Sequence, residues 1–248
     1  MARTVILGAG IAGHTAALHL RRMLGKEHDV VVVSPNSKWN WIPSNIWVGV
    51  GTMKKKRVTF PLAPIYARKG VEFHQALATE LHGEGSPDHP HPYVTVRYTG
   101  PSRQGKTANL DYDFLINATG PKLTFEATPG LGPQGNSWSV CTAEHAVETS
   151  QALQDVIGKL QRGTPQTLLI GMGHGTCTCQ GAAFEYTFNV EHELVQAGVR
   201  DKAEVIYITN EVQLGDFGMD GMNFGTKDGV VPSRSEEHTS ELQSRQSI

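Results

Sequence analysis

The segment Val5-Ile-Leu-Gly8-Ala9-Gly10-Ile11-Ala12-Gly13 decides the fold of this chain, because an apolar strand runs directly into a GxGxxG loop. A helix to about Leu24 and a strand at 28–33 with four consecutive valines are predicted to follow. In such a unit the first glycine permits a tight turn, the second lets the backbone approach a pyrophosphate, and the third allows close helix–strand packing. The helix N-terminus adds free N–H groups and a partial positive charge. The segment therefore predicts a dinucleotide site formed by Gly8, Ala9, Gly10, Ile11, Ala12 and Gly13.

The end of the second strand departs from the usual pattern of such sites. An acidic residue normally stands there and binds the ribose hydroxyls, but here Val33 is followed by Ser34 and Pro35. A serine hydroxyl and backbone groups can bind the adenosine ribose without charge assistance. The alternative is that Ser34 is only a turn residue. We place Ser34 and Pro35 in the predicted cofactor site.

A second small-residue segment indicates which dinucleotide is bound. A buried strand ends in Asn117-Ala118-Thr119-Gly120, and small residues suit a backbone that packs against a pyrophosphate and a ribityl chain. Together with the first glycine loop, Ala118, Thr119 and Gly120 favour FAD over NAD. The other predicted cofactor contacts are Ala78 and the segment Ile42, Pro43, Ser44 and Asn45, which we place near the isoalloxazine ring.

The remaining pattern predicts an α/β fold. We expect a Rossmann-like FAD-binding domain with a parallel sheet and an inserted β-meander, followed by an incomplete second Rossmann-like domain that contains a second glycine loop, residues 171–175. The predicted strands are 71–74, 78–81, 93–98, 112–116, 167–170 and 204–209, and the predicted helices lie within 58–69 and at 143–160 and 181–196.

The domain boundaries follow from this pattern and from the end of the chain. We predict an FAD-binding domain at 1–135, a truncated second unit at 136–231 and a disordered, non-native tail at 232–248. The stretch Arg234–Ser244 reads like the translation of a sequencing adapter, and such scars are excluded from fold reasoning; a polar native tail is the alternative. On this interpretation the natural protein continues past about Val231, and this chain alone is not expected to be catalytically active.

Three cysteines are too few for a disulfide framework. Cys177 and Cys179 stand where the helix after the second glycine loop begins, and a helix N-terminus favours the nucleophilic thiolate. The alternative for a free cysteine is a small buried apolar residue. The pattern therefore makes a reactive thiol at this helix a hypothesis.

At this point the sequence resembles the sulfide:quinone oxidoreductases, membrane-associated FAD enzymes of the disulfide-reductase superfamily. The resemblance extends from Met1 to about Gly229. It rests on residues 5–10, 42–51, 118–122, 141–145 and 179–186, of which Pro43-Ser44-Asn45 and the Cys-x-Gly-x-Ala-x-Glu-Tyr segment are the most specific.

The resemblance implies sites and a reaction. Cys179 matches the family's redox cysteine, which pairs with a cysteine in the C-terminal half. Sulfide attacks that disulfide, a persulfide forms, and two electrons pass to FAD and then to a quinone. Cys141 matches an accessory cysteine, and His145 a histidine that assists proton handling, with a solvated helix histidine as the alternative. Cys177 remains an alternative redox thiol, and Asp216 stands near the position of another family histidine.

Composition and charge limit the classes of partner and ligand that are expected. The net charge of -2 disfavours nucleic acid, and His82, His89 and His91 lack metal-site spacing, so no metal is expected. No export signal precedes the first strand. The resemblance therefore implies a peripheral protein on the cytoplasmic face of a prokaryotic inner membrane, bound through its C-terminal part. Self-association is left open.

Three other functions are also compatible with the sequence. The flavoprotein subunit of flavocytochrome c sulfide dehydrogenase is one, and a type II NADH:quinone dehydrogenase is another, which has no need of Cys179. A non-catalytic fragment that binds FAD weakly or not at all is the last.

Overall fold

A computed structural model describes residues 1–173, 180–209, 223–226 and 229–232 of the chain, the last two ranges as strands only. The strands are β1 Arg3–Leu7, β2 Asp29–Ser34, β3 Lys38–Asn40, β4 Thr59–Pro61, β5 Glu72–His82, β6 Tyr93–Tyr98, β7 Thr107–Asp111, β8 Phe114–Asn117, β9 Gln166–Gly171, β10 Ala203–Ile208, β11 Asn223–Thr226 and β12 Gly229–Pro232. The helices are α1 Ile11–Met23, α2 Asn45–Gly49, α3 Leu62–Lys69, α4 Ala143–Gln161 and α5 Gln180–Gln196.

A mixed sheet with the strand order β7-β6-β5-β2-β1-β8 forms the first part of the chain. The pairs β5–β2, β2–β1 and β1–β8 are parallel, whereas β5, β6 and β7 form an antiparallel meander. The predicted parallel sheet with an inserted meander is therefore confirmed.

The valine-rich strand β2 is buried on both faces of this sheet. Val31 and Val33 pack into one core cluster with Val5 and Leu7. Val30 and Val32 pack into another, on the face where α1 and α3 lie. A run of apolar residues without alternation is what a strand covered on both sides requires.

The meander differs in detail from the prediction. A single strand, β5, replaces the two strands expected at 71–74 and 78–81, because it pairs first with β2 and then with β6. A shift of register between Ala78 and Glu80 accommodates the change of partner. The third meander strand, β7, was not predicted; only Leu110 of its five residues is buried, so its apolar pattern is weak.

The second part of the chain contains a βαβ unit. The parallel strands β9 and β10 are joined by α5, and the apolar side chains of α4 and α5 form a core with them. That core includes Leu153, Leu160, Leu194 and Val205. This unit is the predicted second Rossmann-like domain, with two parallel strands among the residues that the structure describes.

Two compact units emerge from the packing, and they are interleaved along the sequence. One comprises 1–41 and 59–123, and the other 42–58 and 124–248. The predicted division at residue 135 places 42–58 in the first domain, but Val48 and Val58 pack with Ala143 and Ala146 of α4. Residues 233–248 of the predicted tail lie outside the described residues. Within the described part of the chain, no helix has the length and apolar character needed to cross a membrane.

Candidate functional site

Three parallel strands of the first unit end at the same level of the sheet. Leu7 lies opposite Val33 of β2 and Asn117 of β8. The amide of Gly8 donates to the carbonyl of Val33 at 2.8 Å, and the amide of Ala118 donates to the carbonyl of Leu7 at 2.8 Å. The glycine loop, Ser34 and the Ala118–Gly120 turn therefore leave the sheet from one edge, where α/β sheets bind ligands.

The three glycines of the first loop have different surroundings. Gly8 has a φ of +98°, and a Cβ there would lie closer than 3.0 Å to the carbonyl of Ala118. A Cβ on Gly13 would lie closer than 3.0 Å to the carbonyl of Gly8. At Gly10, by contrast, no described atom outside the adjacent backbone lies within 4 Å of the Cβ position. Gly8 and Gly13 are thus required by the fold, whereas Gly10 leaves space for a ligand to approach the backbone.

The N-terminus of α1 is open toward the same space. Gly10 is the N-cap, and no described side chain caps the helix or places an acidic group in its first turn. Gly10, Ile11 and Ala12 are exposed. The first amides of a helix have no partner within it and carry the positive end of its dipole. This arrangement fits the pyrophosphate of a dinucleotide.

Ser34 lies at this edge but is itself buried. Its side chain is 3% exposed, and its Oγ accepts a hydrogen bond from the amide of Asn36 at 3.3 Å. That bond is the turn contact that was the alternative interpretation. The hydroxyl proton remains a donor, so a contact with a ribose stays a prediction. Pro35 and Asn36 are exposed beside it.

The Ala118–Gly120 segment forms a tight turn at the end of β8. Asn117 Oδ1 accepts hydrogen bonds from the amide of Thr119 at 3.2 Å and from its hydroxyl at 2.8 Å. Gly120 has a φ of +70°, with no described atom outside the adjacent backbone near its Cβ position. Ala118 packs against the core. The backbone is thus open at Gly120, and the predicted contact of this segment with the cofactor remains a prediction.

Ala78 does not lie among these strand ends. It stands in the meander opposite Val96, beyond the part of β5 that pairs with β2. Its side chain packs partly against the core cluster of this face. Its predicted contact with the cofactor remains a prediction.

An aromatic cluster behind the first turn of α1 was missed as a unit in the sequence. His14 Nδ1 lies 3.0 Å from the hydroxyl of Tyr66, and the His14 ring also contacts Trp39 and Phe60. Burial lowers the pKa of His14 and raises that of Tyr66. Trp39 stacks on Phe60 with ring centroids 4.8 Å apart. The signal was the tryptophan-rich segment, but which residues meet depends on how β3 pairs with β4.

The segment Ile42–Asn45 belongs to the second unit. Residues 42–44 form one 3-10 turn, and α2 begins at Asn45, whose side chain is buried. The hydroxyl of Tyr186 in α5 donates to the carbonyl of Gly49 at 3.2 Å. Burial raises the pKa of Tyr186. The predicted cofactor residues are thus divided between the two units.

The start of α4 carries two of the predicted reactive residues. Thr142 is its N-cap and accepts a hydrogen bond from the amide of His145 at 3.1 Å. Cys141 is exposed just before this cap. The Nδ1 atom of His145 is buried, and no described group forms a hydrogen bond with it; the ring edge contacts Phe125. A buried polar atom without a partner is uncommon and points to a ligand, an ion or a water.

The remaining predicted thiols are not described. Cys177 and Cys179 lie outside the described residues, as does Asp216; α5 begins at Gln180, directly after Cys179. Among the described residues, no group of three or more histidine, cysteine or acidic side chains could hold a metal. His89 instead contacts Asp111 at 2.7 Å, and His82 stacks on Tyr93.

Comparison with known proteins identifies a family and individual proteins that this chain resembles. Residues 2–213 match the family model described as pyridine nucleotide-disulphide oxidoreductase. The chain is 31% identical to sulfide-quinone reductase of Aquifex aeolicus (strain VF5) over 218 residues, which cover 88% of this chain and 45% of that protein. The X-ray structure of the sulfide:quinone oxidoreductase from Aquifex aeolicus matches with a TM-score of 0.78 and 29% identity, over 100% of this chain and 50% of that one. This similarity confirms the resemblance predicted from the sequence.

The chain is also similar to a protein whose name gives NAD(P)H, rather than sulfide, as the electron donor. External alternative NAD(P)H-ubiquinone oxidoreductase B4, mitochondrial, of Arabidopsis thaliana is 27% identical over 154 residues, 62% of this chain and 25% of that protein. The chain spans 45% and 25% of the lengths of these two curated relatives, about half or less.

Proposed function

The chain belongs to the pyridine nucleotide-disulphide oxidoreductase family, and from this premise we propose that it takes part in an FAD-dependent oxidation of sulfide, with electrons passed to a membrane quinone. The observation that carries the proposal is the similarity to sulfide-quinone reductase, which exceeds that to the NAD(P)H-ubiquinone oxidoreductase in identity and in coverage. The cysteine-containing segments support it, because sulfur chemistry needs a thiol and NADH oxidation does not.

The first unit supplies the residues that would hold the pyrophosphate and the adenosine of FAD, and the predicted contacts Ile42–Asn45 come from the second unit. The open side of Gly10 and the uncapped start of α1 suit the pyrophosphate, and the Ala118–Gly120 turn offers backbone without bulky side chains. Ser34 would bind the adenosine ribose. Bound FAD supplies a two-electron relay between the sulfur substrate and the quinone.

Cys179 is the thiol that we assign to the sulfur chemistry. It directly precedes α5 in the sequence, and α5 runs from Gln180 to Gln196. Amides at a helix start favour the thiolate. In the proposed step, sulfide attacks a disulfide that contains Cys179, so one S–S bond forms as another breaks and a thiolate leaves. Overall, sulfide loses two electrons to become sulfane sulfur, and the quinone takes up two electrons and two protons.

His145 is proposed to hold and move a proton released from sulfide. Its Nδ1 is buried without a described partner, and the N-cap bond at Thr142 fixes the first turn of α4, on which it stands. Cys141 is exposed and can serve as an accessory thiol. Neutral imidazole accepts a proton near neutral pH.

The second candidate function is NADH:quinone oxidation. The similarity to the NAD(P)H-ubiquinone oxidoreductase favours it. We place it behind sulfide oxidation because it leaves the cysteines without a role. For either function, attachment to the membrane surface from the cytoplasmic side is part of the proposal, because the quinone resides in the membrane.

One experiment separates the two candidates. Protein loaded with FAD, both as this chain and within any longer product of its gene, is mixed anaerobically with sulfide or with NADH, and the flavin absorbance is followed. Sulfide is expected to bleach the flavin and NADH is not; bleaching by NADH alone contradicts the proposal. Cys179→Ala should abolish bleaching by sulfide while FAD stays bound, and Cys177→Ala should keep it; loss of bleaching in Cys177→Ala alone would transfer the assignment to Cys177, the alternative thiol.

A further inference from the structure

The second glycine loop has no task in the proposed function. Gly171 ends β9, and Gly173 follows it with the same spacing that separates Gly8 from Gly10 after β1. In dinucleotide-binding units the second glycine of the loop is the one whose backbone the pyrophosphate approaches. Gly10 and Gly173 are therefore the equivalent positions of the two βαβ units, and their surroundings are directly comparable.

The two positions differ in what occupies the space beside them. At Gly10 no described atom outside the adjacent backbone lies within 4 Å of the Cβ position. At Gly173 the same position is filled by Leu131, whose Cδ2 would lie closer than 3.0 Å to a Cβ. The hydroxyl of Thr128 also donates to the carbonyl of Gly173 at 2.7 Å. Gly173 is itself exposed, but the chain fills the Cβ side of this glycine and bonds its carbonyl.

Leu131 stands in a loop with many internal hydrogen bonds. Its amide donates to the carbonyl of Thr128 at 3.1 Å, and the amide of Asn136 donates to the carbonyl of Gly130 at 2.8 Å. The amide of Gly132 donates to the hydroxyl of Ser137 at 2.8 Å. These bonds hold the backbone on both sides of the leucine, so its side chain is positioned before any ligand arrives.

We infer that the segment 128–131 blocks the approach of a pyridine nucleotide to Gly173 of the second glycine loop, with Leu131 in the place of the pyrophosphate and Thr128 bound to the Gly173 carbonyl. This segment therefore determines the electron-donor specificity of the protein. The inference concerns nucleotide binding, so it stands or falls independently of sulfide oxidation.

The backbone at Gly173 permits a direct test of the contact. Its φ is not in the left-handed region, so alanine is compatible with the conformation, and the described neighbour that opposes a methyl group is Leu131. Gly173→Ala should lower the melting temperature by about 4 °C or more, as overpacking does. In the Leu131→Ala background the same change should have little effect, because the methyl group then has room.

The control for this cycle is Leu169→Ala. Leu169 belongs to β9 of the same unit and is 64% exposed. Gly173→Ala should lower the melting temperature by the same amount in the Leu169→Ala background as in the wild type. Equal effects of Gly173→Ala in the wild-type and Leu131→Ala backgrounds would show that the contact is absent in solution and would overturn the inference.

The functional test measures NADH binding by calorimetry in the presence of excess FAD. The Leu131→Ala protein is expected to bind NADH at least tenfold more tightly than the wild type, and Leu169→Ala should not differ from the wild type. Because both proteins share the first glycine loop, the difference between them reports the second loop alone. If the wild type and Leu131→Ala bind NADH with the same affinity, or if neither binds it, the inference is contradicted. Flavin bleaching by sulfide does not affect this result.

Discussion

The hydroxyl of Tyr186 in α5 donates a hydrogen bond to the carbonyl of Gly49 in α2, at 3.2 Å. The two residues are far apart in the sequence, and both belong to the second unit. Gly49 is buried, and a Cβ on it would be crowded by Val140 and by the Tyr186 ring. The pair is one of the contacts that join the segment 42–58 to the second unit, beside the packing of Val48 and Val58 against α4.

Removing that hydroxyl should destabilise the second unit. Tyr186→Phe leaves the buried carbonyl of Gly49 without its partner while the ring packing is kept, and we expect a loss of about 1–2 kcal/mol in the free energy of unfolding. Urea unfolding followed by circular dichroism measures it. Glu185→Gln, an exposed neighbour on the same helix, should change the midpoint little. An unchanged midpoint for Tyr186→Phe would show that the bond does not contribute.

Alanine at the first two glycines should separate folding from cofactor binding. Gly8→Ala places a Cβ against the carbonyl of Ala118 at a φ of +98°, so a loss of about 2 kcal/mol or more in unfolding free energy is expected. Gly10→Ala meets no described atom beyond the adjacent backbone and should cost less than about 1 kcal/mol. It should nevertheless weaken FAD binding, because the methyl group occupies the open side of the loop.

Thermal unfolding and flavin retention on a desalting column give the two readouts. If Gly10→Ala retains FAD as the wild type does, the open side of this glycine is not where the cofactor lies.

Acid should weaken the network around Glu72. Burial by itself would raise the pKa of Glu72, but the hydrogen bond with His74 and the charge of Arg3 outweigh it, and the pKa is lowered. The Arg3 guanidinium lies 2.9 Å from Glu72 Oε2, and His74 Nε2 lies 2.6 Å from Oε1. Because the pKa of Glu72 is lower in the folded state, its ionised carboxylate stabilises the fold at pH values above the unfolded-state pKa near 4.5. This stabilisation is lost as the pH falls through the folded-state pKa.

The comparison of wild type with Glu72→Gln isolates this effect. The wild type should be more stable at pH 7 by less than about 1 kcal/mol, since the carboxylate is half exposed. The difference should vanish in acid, below the folded pKa of Glu72. Urea midpoints from pH 7 to pH 3 test it. A difference that stays constant over this range would assign the effect to packing rather than to charge.

Replacing His145 should slow the sulfide-dependent reaction without releasing the flavin. His145→Gln keeps a polar side chain on the first turn of α4 but cannot take up a proton, and the loss expected for a general base is about 100-fold or more. Stopped-flow bleaching by sulfide across pH 5 to 9 measures the rate and its pH dependence. His19→Gln, on the exposed side of α1, is the control. If the variant keeps the rate and pH profile of the wild type, His145 has no role in proton transfer.

Much of the site was accessible from local pattern. The GxGxxG loop before a helix, the four valines of β2 and the Ala118–Gly120 turn each depend on residues close in sequence, and the structure places them at one sheet edge. The aromatic cluster around His14 was not accessible in this way, because His14, Phe60 and Tyr66 come together only through the pairing of β3 with β4 and the docking of α1 and α3.

The sequence by itself determined the two βαβ units and the meander next to the parallel strands, and it predicted a dinucleotide site at the first loop. Hydrophobic run length and glycine spacing carry that information, since both act over a few residues. Only the tertiary structure decided that the two glycine loops are not equivalent. Gly10 and Gly173 have the same local spacing, but Leu131 reaches Gly173 from a loop far along the chain. Whether a backbone is open to a ligand depends on what packs against it, and packing between distant segments has no period in the sequence.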